Sequence, residues 1–146
     1  MVEPTLAATD AVRAISRMAR FVERASDSLS PADYRVMSAI LEGEARASRL
    51  AHRLSLGKPA ISSTVESLSK RGLIVKSSVE GDNRAVELAL SDEGVELFSR
   101  MEQRMTSQLD ELVARTPDAS QVIASLGWLG AAIEEWMQER TSEVTA

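Results

Sequence analysis

Between residues 46 and 84 the chain places eight basic side chains (Arg46, Arg49, Arg53, Lys58, Lys70, Arg71, Lys76 and Arg84) against only Glu66, Glu80 and Asp82, a net of +5. The remaining residues carry nine basic and nineteen acidic side chains, so the whole chain stands at −5. A basic segment on an acidic body focuses positive potential over one face, where the phosphates of a polyanion would lie. The bland alternative is a set of solvated surface cations. Other chemistry is scarce. With no Cys and one His, the sequence excludes thiol nucleophiles, disulfides and zinc clusters, and leaves out the usual acid–base dyads. Direct thiol-based peroxide sensing goes with them. His52 has no second ligand candidate nearby and reads as solvated or phosphate-facing. An enzyme is disfavoured, and no cofactor or metal is expected.

The elements that must position these residues are mostly helices. Ala8, Val12, Ile15, Ala19 and Val22 step by four and three, which predicts a first helix over about 6–26. In Leu29-Ser30-Pro31-Ala32-Asp33-Tyr34, Ser30 can cap, Pro31 suits a first turn, Asp33 holds the capping-box position and Leu29 can staple onto Tyr34. The second helix then runs to about Glu42 and stops at Gly43. A short third helix, Ala47 to Leu54, turns through Leu56-Gly57-Lys58-Pro59 into a fourth with Ile61, Val65 and Leu68 on one face, ending at Gly72. Two helices joined so tightly suggest a helix-turn-helix.

After Gly72, residues 73–79 and 85–90 read as β-strands around the turn-forming Glu80-Gly81-Asp82-Asn83, a hairpin with Arg84 at its tip. Ser91-Asp92-Glu93 opens a long helix to about Arg115, with its carboxylates at the positive end of the helix dipole. Thr116-Pro117 restarts the chain for a last helix, striped by Val122, Leu126, Leu129, Ile133 and Trp136. Gly127 and Gly130 each cost about 1 kcal/mol relative to alanine there, so a close backbone neighbour or a bend is expected to offset them. Trp128, Trp136 and Met137 read as core or subunit interface rather than a ligand cage. No apolar run reaches the roughly 20 residues needed to span a bilayer and no signal peptide is visible, so the expected location is the cytoplasm, with no membrane partner.

Taken in order, "LSPADYRVMSAIL", "RLAHRLSLGKPAISSTVESLSKRGLI", "EGDNRAVELALSDEG" and the closing long helices resemble the MarR family of bacterial winged-helix transcriptional regulators. The resemblance implies a mainly α fold with a small β-hairpin wing. The whole of 1–146 would form a single domain, with a winged helix-turn-helix lobe over about 30–92 between dimerisation helices at about 6–26 and 92–140. It also implies a homodimer that binds double-stranded DNA at a pseudo-palindromic operator, most often as a repressor, and that is released by a small aromatic effector.

Within that frame the fourth helix turns Ser63, Ser67 and Lys70 away from its apolar face, with Ser62 and Glu66 alongside. These would enter a major groove, while Lys58 and the amides at the helix start anchor phosphate. Serines read bases less sharply than a bidentate arginine, and many family members carry a longer polar or basic side chain near Ser63. More of the specificity would then fall to the wing and to DNA shape. Lys76 is a candidate phosphate contact. The resemblance gives Asp82 the task of steadying Arg84 in a neighbouring minor groove; the alternative is a surface arginine paired with Asp82 or Glu80. Val12, Ile15, Leu126, Leu129, Ile133 and Trp136 are expected at the dimer interface, because the first, fifth and sixth helices carry more apolar stripe than one winged helix needs. The competing use of such a fold is a winged-helix dimer for protein interaction or nonspecific DNA architecture.

Overall fold

The computed structural model describes the backbone of residues 6–79 and 82–145 and the side chains of residues 7–78 and 86–140. The elements run α1 (Leu6–Ala25), α2 (Pro31–Leu41), α3 (Ala47–Arg53), α4 (Lys58–Lys70), β1 (Ile74–Val79), β2 (Asp82–Leu90), α5 (Asp92–Val113) and α6 (Ala119–Thr145). This is the mainly helical architecture with a two-stranded antiparallel hairpin that the sequence predicts.

Local chemistry sets the element ends. At α2 the Ser30 Oγ accepts from the Asp33 amide at 3.1 Å while Asp33 Oδ2 accepts from the Ser30 amide at 3.0 Å, a complete capping box. Three helices then end in the same hydrogen-bonded turn. The Glu44 amide donates to the Ala39 carbonyl, that of Leu56 to Ala51 and that of Leu73 to Leu68, each enclosing a second bond, from Gly43 to Ile40, Ser55 to His52 and Gly72 to Ser69. Such a turn needs one residue at positive φ. Gly43 (φ 99°) and Gly72 (φ 71°) meet that need without a Cβ penalty. Between α3 and α4, however, the left-handed residue is Ser55 (φ 51°), not Gly57, which is the ordinary N-cap of α4 at φ −61°.

The lobe closes one core. Val36, Met37, Ala39 and Ile40 of α2 meet Leu50 of α3, Ile61, Val65 and Leu68 of α4, and Leu73, Ile74 and Leu88 of the hairpin. Fully burying a side chain such as Leu50 or Leu68 contributes about 1.5–3 kcal/mol. Phe98 and Met101 of α5 complete the cluster, and Tyr34 stacks on Phe98 with ring centroids 5.1 Å apart. The start of α5 is clamped to the end of α4. The Ser91 amide donates to the Leu73 carbonyl, the Ser91 Oγ donates to the Gly72 carbonyl at 2.6 Å, and Gly94 lies so close that a Cβ there would stand 2.0 Å from the Leu73 oxygen. Only glycine fits that contact.

Three further expectations change in detail. The strand β2 begins at Asp82, so Asp82 and Asn83 lie in strand backbone. Val79 pairs with Asp82 but Ser78 with Val86, and the register shift places residues 83–85 in a bulge-like irregularity that turn-forming residues tolerate. The turn at Glu80-Gly81 lies outside the described residues. At α6 the cap is Asp118, whose Oδ1 accepts from the Gln121 amide at 2.9 Å, while the Thr116 hydroxyl donates to the Val113 carbonyl instead. Finally, among the described residues, no atom outside the local helix backbone lies within 4 Å of where a Cβ of Gly127 or Gly130 would be, so the expected close backbone neighbour is not found within this chain. Among the described residues, no helix is long and apolar enough to cross a membrane.

Candidate nucleic-acid interface

The candidate surface is built on α4. Its stripe of Ile61, Val65 and Leu68 is buried in the lobe, and the rotation this fixes leaves Ser62, Ser63, Glu66, Ser67 and Lys70 exposed on the opposite side. Lys58 is exposed in the first turn, where Gly57 caps without a side-chain hydrogen bond; Pro59 has no N–H and the Ala60 and Ile61 amides donate to the Gly57 carbonyl, so the expected anchoring by amides at this helix start falls mainly to the Lys58 side chain. Lys76, on β1 opposite Leu88, reaches the same surface from the wing. Seven of the residues singled out from sequence therefore share one exposed face. Asp82 and Arg84 lie in β2, but their side chains fall outside the described residues.

The charge on this face is organised by Glu66. Its Oε2 accepts from Lys76 Nζ at 2.9 Å and its Oε1 stands 3.6 Å from Lys70 Nζ. The Lys76 hydrogen bond, followed by the charges of Lys76 and Lys70, holds the Glu66 carboxyl below the ordinary glutamate range. Lys70 and Lys76 are thus paired across the recognition helix and the wing in the protein alone.

Two of the basic residues counted in the cluster do other work. Arg71 turns back from the end of α4 to Asp33 Oδ2 at 3.2 Å and to the Ser28 carbonyl at 2.5 Å, where Asp33 is the one buried charged residue among the described residues. Arg53 is paired with Glu42 at the end of α2. Both partners lie outside residues 46–84, so a count confined to that window leaves them out. Among the described side chains of that window, the exposed Arg46, Arg49 and Lys58 remain, with the two lysines around Glu66.

One anchoring element has no sequence signal. Arg46 forms an isolated antiparallel bridge with Glu87, and the Leu88 amide donates to the Ala45 carbonyl at 2.7 Å, so the chain entering α3 supports the wing. A single bridge has no periodicity to read. On the far side of the lobe, Asp27 joins the α1–α2 connection to α5 through Arg104, whose Nη1 reaches both carboxylate oxygens at 3.1 Å. That hydrogen bond lowers the Asp27 pKa.

A cleft of about 1100 Å³ lies between α2, α3 and the second half of α6, with Arg35, His52 and Arg53 on one wall and Ile133 and Met137 on the other. His52, exposed on α3, lines this cleft. No group of three His, Cys, Asp or Glu side chains suited to a metal occurs among the described residues. The candidate interface residues on the outer helices are all exposed: Val12 and Ile15 of α1, and Leu126, Leu129, Ile133 and Trp136 of α6. Trp128 and Trp136 are 67% and 57% exposed, so neither is core of a single chain, and Arg140 lies 4.8 Å over the Trp136 ring.

A helix-turn-helix whose second helix presents an exposed polar face, backed by a hairpin wing, defines the class as a winged-helix fold. Residues 27–85 match the model of the MarR family. Solved structures agree in fold. The transcriptional repressor CouR bound to a 23-mer DNA duplex is 20% identical with a TM-score of 0.75, covering 88% of this chain and 92% of that one. The PcaV transcriptional regulator from Streptomyces coelicolor, in complex with its natural ligand, is 22% identical with a TM-score of 0.70, covering 92% and 98%. A MarR transcriptional regulator from Methanosarcina mazei is 15% identical with a TM-score of 0.72, covering 89% and 98%. These neighbours are transcriptional regulators, not enzymes. No curated protein matches the chain.

Proposed function

We propose that the protein is a homodimeric transcriptional repressor that places one α4 in each of two successive major grooves of a pseudo-palindromic operator. The observation that carries this reading is the exposed Ser62, Ser63, Glu66, Ser67 face of α4, bordered by Lys58, Lys70 and Lys76, on the side of the lobe opposite its core. Lys58, Lys70 and Lys76 hold phosphates, the serines and Glu66 meet base edges, and Arg84, steadied by Asp82, enters the flanking minor groove. The winged-helix lobe spans about 30–92. The helices at about 6–26 and 92–140 form the dimer, in which Val12, Ile15, Leu126, Leu129, Ile133 and Trp136 are covered by the second subunit and Gly127 and Gly130 admit its backbone.

The cleft between the lobe and α6 suits a small aromatic molecule, with Arg35, His52 and Arg53 beside the carboxylates of Glu42 and Glu134 on its polar edge and Leu54 and Met137 on its apolar one. A molecule bound there acts by preferring one spacing of the two α4 helices, and so releases DNA through its differential affinity. The second reading, a dimer for protein interaction or nonspecific DNA architecture, draws support from the serines that stand where stronger base readers could.

Footprinting on the DNA flanking its own gene, with excess nonspecific competitor, separates the two. The repressor reading expects an inverted repeat with half-sites roughly 34–36 Å apart. Uniform coverage without a protected repeat contradicts it. Arg84→Ala should also lower the log affinity versus log salt slope by about 2 per dimer, at about 0.9 per phosphate; an unchanged slope removes the wing from the interface.

A further inference from the structure

Glu66 is an unusual occupant for a surface that must approach phosphates. It is the one acidic side chain on the outward face of α4, and its neighbours Ser62, Ser63 and Ser67 are uncharged. Its two carboxylate oxygens hold the ammonium groups of Lys70, one turn along the helix, and Lys76, on the wing. DNA binding sets three demands on this cluster. The lysines are drawn to phosphates, the carboxylate loses its partners, and it is carried towards base edges where most exposed groups are acceptors. A carboxylate without a donor there is repelled. The cluster therefore changes partners at acceptable cost only on a sequence that offers Glu66 an amino group.

We propose that Glu66 is the specificity-determining residue of the recognition helix, accepting a hydrogen bond from the N4 amino group of a cytosine in each half-site and yielding Lys70 and Lys76 to phosphate only there. Cytosine is favoured over adenine because adenine sets the N7 lone pair beside its amino group, against the second carboxylate oxygen, whereas cytosine carries no acceptor of its own on that edge. On any other base, Glu66 keeps the two lysines and opposes the backbone charge. Specificity then comes from a repulsive element as much as an attractive one. This explains how a helix with serines and no arginine on its outward face can still discriminate. The inference rests on the DNA-binding reading above and adds to it the base that is read and the residue that reads it.

The test is selection from a randomised duplex pool by the full-length protein, Glu66→Gln, Glu66→Ala and a control, Glu87→Gln, which removes the same charge from the wing. Sedimentation and circular dichroism check that each is folded, and an exposed site with two substitutions keeps the comparison available. The wild type and Glu87→Gln should enrich a cytosine at one position of each half-site, with ~5- to ~100-fold discrimination against other bases there. Both Glu66 variants should lose that preference while binding random DNA more tightly and with a steeper salt dependence, because Lys70 and Lys76 are freed. A consensus enriched by the wild type and preserved in both Glu66 variants overturns this inference alone. A wild-type pool with no enriched sequence overturns the repressor reading, and this one with it.

Discussion

The winged-helix lobe and the outer helices use apolar residues in opposite ways. In the lobe, the apolar stripes of α2, α3 and α4 and the inner faces of the hairpin close on one another, and Val36, Met37, Leu50 and Leu68 are fully buried within a single chain. On α6 no described residue is buried, and Ile123, Leu126, Trp128, Leu129, Ile133 and Trp136 stand in the open, as do Val12 and Ile15 of α1. Exposed apolar side chains in such number are what the proposed dimer interface would use. The difference teaches that the lobe closes its core within one chain, while the outer helices leave the apolar surface that the proposed second subunit would cover. A periodic stripe alone does not distinguish the two cases.

The contrast is broken most forcefully at α6. Leu129→Glu with Ile133→Glu should convert a dimer into monomer by sedimentation, and lower operator affinity by about 10²–10⁴-fold through the loss of two-site binding. If the wild type is already a well-folded monomer at micromolar concentration, the comparison itself fails. Within the lobe, Gly94→Ala forces a methyl group onto the Leu73 carbonyl, and should cost about 3 kcal/mol in denaturant unfolding. A loss below about 1 kcal/mol would mean that the clamp between α4 and α5 yields easily.

A smaller effect is expected at the seam between the α1–α2 connection and α4. Arg71→Ala leaves Asp33 buried without its guanidinium, though still bonded to the Ser30 amide, and should cost about 1–2 kcal/mol. Unchanged stability would show that solvent replaces the arginine. The next test needs no substitution. Burial, reinforced by the Glu102 carboxylate that accepts its hydroxyl proton at 3.1 Å, pushes Tyr34 up to about 12. Because the folded value is raised, the contribution is full below the unfolded value of roughly 10 and is lost as pH rises through the folded one. The chain has one tyrosine, so tyrosinate absorbance should titrate near the raised value while the fold persists. A midpoint at the ordinary value would detach α2 from α5. Smallest of all, Ser55→Gly should relieve the left-handed residue of the helix-turn-helix and raise stability by up to about 1 kcal/mol; a decrease would show that the serine's lower unfolded-state entropy outweighs its strain.

What the sequence determined by itself was local. The capping box at Ser30 and Asp33, the glycines at Gly43 and Gly72, the stripe of Ile61, Val65 and Leu68, and the cap at Ser91 are all written within a few residues, because hydrogen-bonded turns and helical periodicity act over that range. Element order and the outward face of α4 follow from them. The tertiary structure alone decided which charges meet. Glu66 and Lys76 are ten residues apart, Asp33 and Arg71 thirty-eight, and Asp27 and Arg104 seventy-seven. Each side chain is long enough to reach several partners, and only packing of the lobe brings the chosen one within hydrogen-bond range. For the same reason Arg53 and Arg71 read as part of a basic surface in sequence but serve carboxylates of the lobe in space, and the bridge from Arg46 to Glu87 left no pattern to follow.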